Sequence, residues 1–160
     1  MISQIINDAE LLHIVINNAA ISGKPRSILR MAEAEAQEIM DINFKGTWLV
    51  SKYSALAMKK QRKLTPLRGK IINVSSFAGL EPMPKLGIYS CSKAAINSLT
   101  KSLAKELAPV ITANAICPGY HITPIYKNDP NLIQSMWNSI NMIPLLERVG
   151  TAKNISFAFA

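Results

Sequence analysis

Three short apolar runs punctuate the chain: HIVIN (His13–Asn17), KIINVS (Lys70–Ser75) and TANAIC (Thr112–Cys117). Each closes on turn-forming residues, and the apolarity is continuous rather than alternating, the pattern of strands covered on both faces in a parallel sheet. Longer stretches with helical spacing lie between them. From Glu33 to Lys63 the apolar residues Ile39, Met40, Trp48, Leu49, Leu56 and Met58 are mixed with charges, and a break at Asn43–Gly46 divides the region into two helices. From Tyr89 to Ala108, Ile96, Leu99, Leu103 and Leu107 form one apolar stripe. Ala94, Ala95, Ser98, Ser102 and Ala104 keep much of the remaining surface small enough for a close partner, and Pro109 ends the helix. Strands alternating with long helices make βαβ units. The predicted class is α/β, part of a doubly wound parallel sheet with helices on both faces in three α/β/α layers.

Composition narrows the function classes. The chain of 160 residues is read as a single partial domain, long enough to bury a core. Cys91 and Cys117 lie far apart, and with only His13 and His121 beside them there is neither a disulfide framework nor a metal-ligand spacing. A reducing cytoplasm is the natural compartment. The opening residues carry Asp8 and Glu10 without a basic start, unlike a secretory leader, and no apolar run is long enough to span a bilayer. The net charge of +8 is densest at KKQRK (Lys59–Lys63). No aromatic residues interleave there, so it reads as a solvated helix end rather than a nucleic-acid patch. Neither a specific nucleic acid nor a membrane is expected as partner.

In an open parallel sheet, ligands bind beyond the carboxyl ends of the strands. Past the first strand comes NNAA (Asn17–Ala20), past the second SSFAG with Ser75 and Ser76, past the third PGYHIT (Pro118–Thr123). The helix after the second strand opens on YSCSK, with Tyr89 four residues ahead of Lys93. That spacing advances a helix by about 6 Å and puts both side chains on one face. A right-handed crossover can return the start of this helix to the rim beside Ser76. A hydroxyl, a phenol and an ammonium would then converge where a proton moves to or from a carbonyl or alcohol oxygen.

NNAA, INFKG (Ile42–Gly46), IINVSSFAG (Ile71–Gly79), YSCSK and NAICPGYHIT (Asn114–Thr123) occur in order, with Ser76 thirteen residues before Tyr89. In these motifs the chain resembles the short-chain dehydrogenases/reductases with a Tyr-x-x-x-Lys active site. The resemblance implies interconversion of a secondary alcohol and a ketone, with NAD or NADP supplying or accepting the hydride. It implies Tyr89 as general acid/base, Lys93 stabilising its phenolate and holding the nicotinamide ribose, and Ser76 hydrogen-bonding the reacting oxygen. Asn43 would help hold a proton-relay water. Asn17 would stabilise the sheet, while Ala19 and Ala20 pass close to the cofactor. Pro118, Gly119, Thr123 and the backbone amide of His121 would line the nicotinamide end. A homo-oligomer built partly on the two long helices is implied for the parent enzyme.

The family's glycine-rich dinucleotide turn does not occur in these residues. The expectation is a fragment, the middle and late part of a longer enzyme, without the segment that selects NAD over NADP. Ala20 stands where the family usually has glycine, and His121 where a small apolar residue is common. HIVIN is then an unpaired apolar edge, a template for association. A vestigial, non-catalytic interaction module is the alternative reading. The segment Tyr120–Leu145, where the family keeps its substrate loop, mixes Met136, Trp137 and Met142 with Asn131, Gln134 and Asn138, and leaves a sugar alcohol, a small diketone or an acyl chain open.

Overall fold

The computed structural model describes residues 11–62 and 66–122, together with Gln4, Asn138, Gly150, Thr151, Lys153 and Ile155. The chain divides into two compact units, Met1–Cys117 and Pro118–Ala160. The first contains a parallel sheet in the order β1-β2-β3, formed by β1 (Ile14–Asn17), β2 (Gly69–Val74) and β3 (Ile111–Ile116). Val15 stands opposite Ile71, and Ile71 opposite Ala113. All three apolar runs are strands, with every boundary within one residue of the run that predicted it.

The β1–β2 crossover holds α1 (Glu33–Met40) and α2 (Gly46–Lys60), and the β2–β3 crossover holds α3 (Gly87–Leu107). Glu33 and Glu35 lie in the first turn of α1, and Lys59 and Lys60 in the last turn of α2, each charge favourable to the helix dipole. Ala108 ends α3 in an extended conformation, as a residue preceding proline does. The predicted break between α1 and α2 is instead a π-helical turn, Asp41–Lys45, and the helix runs on through it. The reason is tertiary. The buried Asn43 in that turn is held by the backbone of Ile21, and the Thr47 hydroxyl donates to the Asn43 carbonyl at 2.7 Å.

Ala55 and Met58 of α2 and Leu107 of α3 pack with Ile71, Ile111 and Ala113, and Val15 joins them from β1. Both long helices therefore cover the same sheet face. Two successive right-handed crossovers that step in one direction must do so, and helices on the second face require steps the other way from β1. The described residues contain none. On that second face Ile14 and Ile16 of the edge strand remain 47% and 46% exposed. In the Pro118–Ala160 unit, β4 (His121–Ile122) pairs in parallel with β5 (Gly150–Thr151). The rest of the expected substrate loop, from Thr123 to Leu145 apart from Asn138, lies outside the described residues.

Candidate active site

Strand β2 delivers Ser75 and Ser76 to the carboxyl rim. The Ser75 N–H continues the ladder by donating to the Ile116 carbonyl at 2.8 Å, while its hydroxyl donates to the Lys93 carbonyl at 2.9 Å. Ser76, in extended conformation, starts a short 3-10 turn (Phe77–Gly79), and its Oγ accepts from the Ala78 N–H at 3.1 Å. That bond leaves the Ser76 hydroxyl proton free to point toward the Tyr89 phenol, whose ionised form Ser76 favours.

Tyr89 and Lys93 occupy successive turns of α3, and the ammonium lies 5.7 Å from the phenol ring centroid. Lys93 is 2% exposed, and its Nζ donates to the Val74 carbonyl at 2.8 Å. Burial pulls the ammonium down from 10.5 to about 8, opposed by the Cys117 thiol. Burial likewise pushes the Tyr89 phenol above its ordinary value, and the Ser76 hydrogen bond works against that rise. Ser76 favours the phenolate, and the Lys93 ammonium stands beside the same ring. The ammonium is directed at the end of β2.

Asn43 comes to the same region from the π-helical turn. Its Oδ1 accepts from the Ile21 N–H and its Nδ2 donates to the Ile21 carbonyl, both at 2.9 Å. Nδ2 also donates to Ser92 Oγ at 3.0 Å, and that hydroxyl donates to the Tyr89 carbonyl at 2.7 Å. The side chain thus ties the exit of β1 to the first turns of α3. Asn17 donates to Ser51 Oγ at 2.9 Å and to Asn73 Oδ1 at 2.8 Å, and Asn73 donates to Thr100 Oγ1 at 2.8 Å. This polar line joins α2, β1, β2 and α3 beneath the rim. Ala19 and Ala20 lie between Asn17 and Ile21, so both ends of their segment are anchored.

The structure therefore brings together Asn43, Ser76, Tyr89 and Lys93, with Asn17, Ala19 and Ala20 on the adjoining strand exit. Pro118, Gly119 and His121 belong to the second unit, where His121 Nδ1 lies 3.1 Å from the Gly119 carbonyl. Thr123 lies outside the described residues. Sequence reasoning missed Ser51, Asn73, Ser92, Asn97 and Thr100. A polar residue within an apolar strand or stripe is the signal that marks Asn73 and Thr100. Among the described residues there is no group of His, Cys, Asp and Glu that could hold a metal ion, and no helix long and apolar enough to cross a membrane.

A nicotinamide dinucleotide fits part of this arrangement. Among the described residues the buried Lys93 ammonium makes one hydrogen bond, to Val74. Two of its three donors remain for ribose hydroxyls.

A parallel α/β sheet whose polar groups gather past the strand carboxyl ends defines a ligand-binding class of fold. A family model described as short chain dehydrogenase matches residues 1–131, and the chain belongs to that family. It is 38% identical over 152 residues to a Thermotoga maritima protein named an uncharacterized oxidoreductase, covering 92% of this chain and 58% of that protein. It is 38% identical over 118 residues to the 3-oxoacyl-[acyl-carrier-protein] reductase of Aquifex aeolicus, covering 73% of this chain and 45% of the relative. The chain thus spans about half the length of these curated relatives. Among solved structures it is similar to the ligand-free aldohexose dehydrogenase of Thermoplasma acidophilum, with a TM-score of 0.84 at 26% identity over 99% of this chain and 63% of that one. ElxO with NADP bound gives a TM-score of 0.82 at 29% identity, over 98% of this chain and 63% of that one.

Proposed function

We propose that the chain is the catalytic part of an NAD(P)-dependent oxidoreductase that interconverts a ketone and a secondary alcohol. The observation that carries this reading is the convergence of Ser76, Tyr89 and Lys93 at the end of β2, with the ammonium 5.7 Å from the phenol ring and Ser76 favouring the phenolate. Bound nicotinamide would supply the hydride. The Tyr89 hydroxyl gives its proton to the carbonyl oxygen as that oxygen gains negative charge, and Ser76 hydrogen-bonds the same oxygen. Lys93 holds the ribose, and Asn43 fixes the turn of α3 that carries Tyr89. A phenol held above its ordinary value stays protonated at neutral pH, which suits the reducing direction. The 3-oxoacyl reductases among the relatives make a 3-ketoacyl thioester the first substrate to test. A homo-oligomer is consistent with the half-exposed Trp48 and Leu56 on α2.

The test uses the full-length native protein with NADH or NADPH and a panel of ketones. Tyr89→Phe should lower kcat by at least about 100-fold, the scale of general acid catalysis. Normal turnover in that variant would refute the assignment. A second reading, an interaction module without activity, is favoured by the second face of β1, where Ile14 and Ile16 are half exposed. It predicts no turnover in the unmodified protein with any ketone of the panel.

A further inference from the structure

We propose that Asn97 is a positioning residue that fixes the Ser76 hydroxyl against the Tyr89 phenol, by tying the exits of β2 and β3 to one point on α3. The inference rests on the oxidoreductase reading and deepens it. Asn97 lies one turn beyond Lys93 on α3. Its Nδ2 donates to the Gly79 carbonyl at 3.1 Å, and its Oδ1 lies 3.5 Å from the Cys117 thiol, a weak donor just past β3. One amide thus grips the end of the Ser76 turn and the end of the neighbouring strand.

The turn it grips has little freedom. At its front, the Ser75 hydroxyl is bonded to the Lys93 carbonyl. At its back, Gly79 lies against α3 so closely that a Cβ there would meet the Lys93 carbonyl carbon at 2.7 Å and the Ala94 nitrogen at 2.9 Å. Ser76 sits between the two anchors, and its own Oγ is aligned by the Ala78 N–H. Releasing the back anchor lets the 3-10 turn lift from α3, and Ser76 moves with it. Asn97 makes its hydrogen bonds to Gly79 and Cys117 and none to Tyr89 or Ser76. Its effect must therefore pass through the Gly79 carbonyl and the turn.

That route gives a distinctive kinetic signature in the full-length native protein. Asn97→Ala should lower kcat about tenfold, the scale of one lost hydrogen bond, with the KM for the dinucleotide unchanged within a factor of about two. In a Ser76→Ala background the same substitution should add less than about twofold, because residues acting through one another are not additive. A second readout needs no turnover: tyrosinate absorbance near 295 nm, taken as the difference from Tyr89→Phe, should show the phenol titrating higher in Asn97→Ala, as in Ser76→Ala. If Asn97→Ala does not fold, Asn97→Asp replaces the Nδ2 donor by an acceptor facing the Gly79 carbonyl, and the same non-additive loss is expected. An unchanged kcat, or a loss that persists in full without Ser76, overturns the proposal. Tyr89→Phe separates the two levels. If it abolishes turnover while Asn97→Ala is silent, only this inference fails; if it leaves turnover intact, the oxidoreductase reading fails as well.

Discussion

Lys93 is a cation held where water scarcely reaches, and removing it should make the protein more stable at neutral pH. Burial brings its ammonium down to about 8 in the folded chain, against 10.5 for an ordinary lysine. Below about pH 8 both states carry the proton, and the folded state bears the full cost of the buried charge. Between about 8 and 10.5 the unfolded chain binds more protons than the folded one, so this contribution to stability rises with pH across that window. The difference of 2.5 corresponds to about 3 kcal/mol at ~1.4 kcal/mol per unit. Lys93→Met removes that penalty but leaves the Val74 carbonyl without its 2.8 Å donor, a loss of about 1 kcal/mol. The net expectation is a gain of about 2 kcal/mol at pH 7, shrinking or reversing by pH 10. Urea unfolding of both forms at the two pH values, followed by tryptophan fluorescence, measures it. A difference between the variants that does not change with pH would refute the reasoning, as would a destabilised Lys93→Met at pH 7.

Gly79→Ala should destabilise the fold by about 2–3 kcal/mol, because the added methyl meets α3 backbone that cannot rotate away; thermal unfolding reads this directly. The isolated chain should associate through the open side of β1 and bind NADH or NADPH only weakly, above the low-micromolar range by calorimetry. Replacing Ile14 and Ile16 by Lys and Glu should raise the concentration at which it associates by tenfold or more, given about 1 kcal/mol for each half-exposed isoleucine, and light scattering measures the change.

The strands were legible because a short apolar run between turn residues has few other ways to fold, and Pro109 marked the end of α3 by chemistry alone. What those runs could not convey was which faces would be covered. HIVIN reads as a strand buried on both sides, yet Ile14 and Ile16 are open, since coverage depends on the direction of the crossovers rather than on the strand's own residues. The Ser76, Tyr89 and Lys93 set was readable from spacing and from family motifs. The direction of the Lys93 ammonium toward Val74 was not, because it depends on how closely β2 passes under α3. Asn97 and Ser92 were hidden for a similar reason. Each looks like an ordinary helix residue until the Gly79 carbonyl or the Asn43 amide is brought alongside it. The Asn43 region announced itself as an interruption, but its form depends on Ile21, twenty-two positions earlier.

The widened turn at Asp41–Lys45 also sets the rotational phase of everything after it. Each residue of an α-helix advances the direction of its side chain by about 100°, and a π turn accommodates one more residue than an α turn would. Deleting a single residue there would let the helix close up into a regular spiral with Ser51, Ala55 and Met58 still turned toward the sheet, whereas deleting two would swing them about a quarter of a circle away from it. The segment should therefore tolerate the loss of one residue far better than the loss of two.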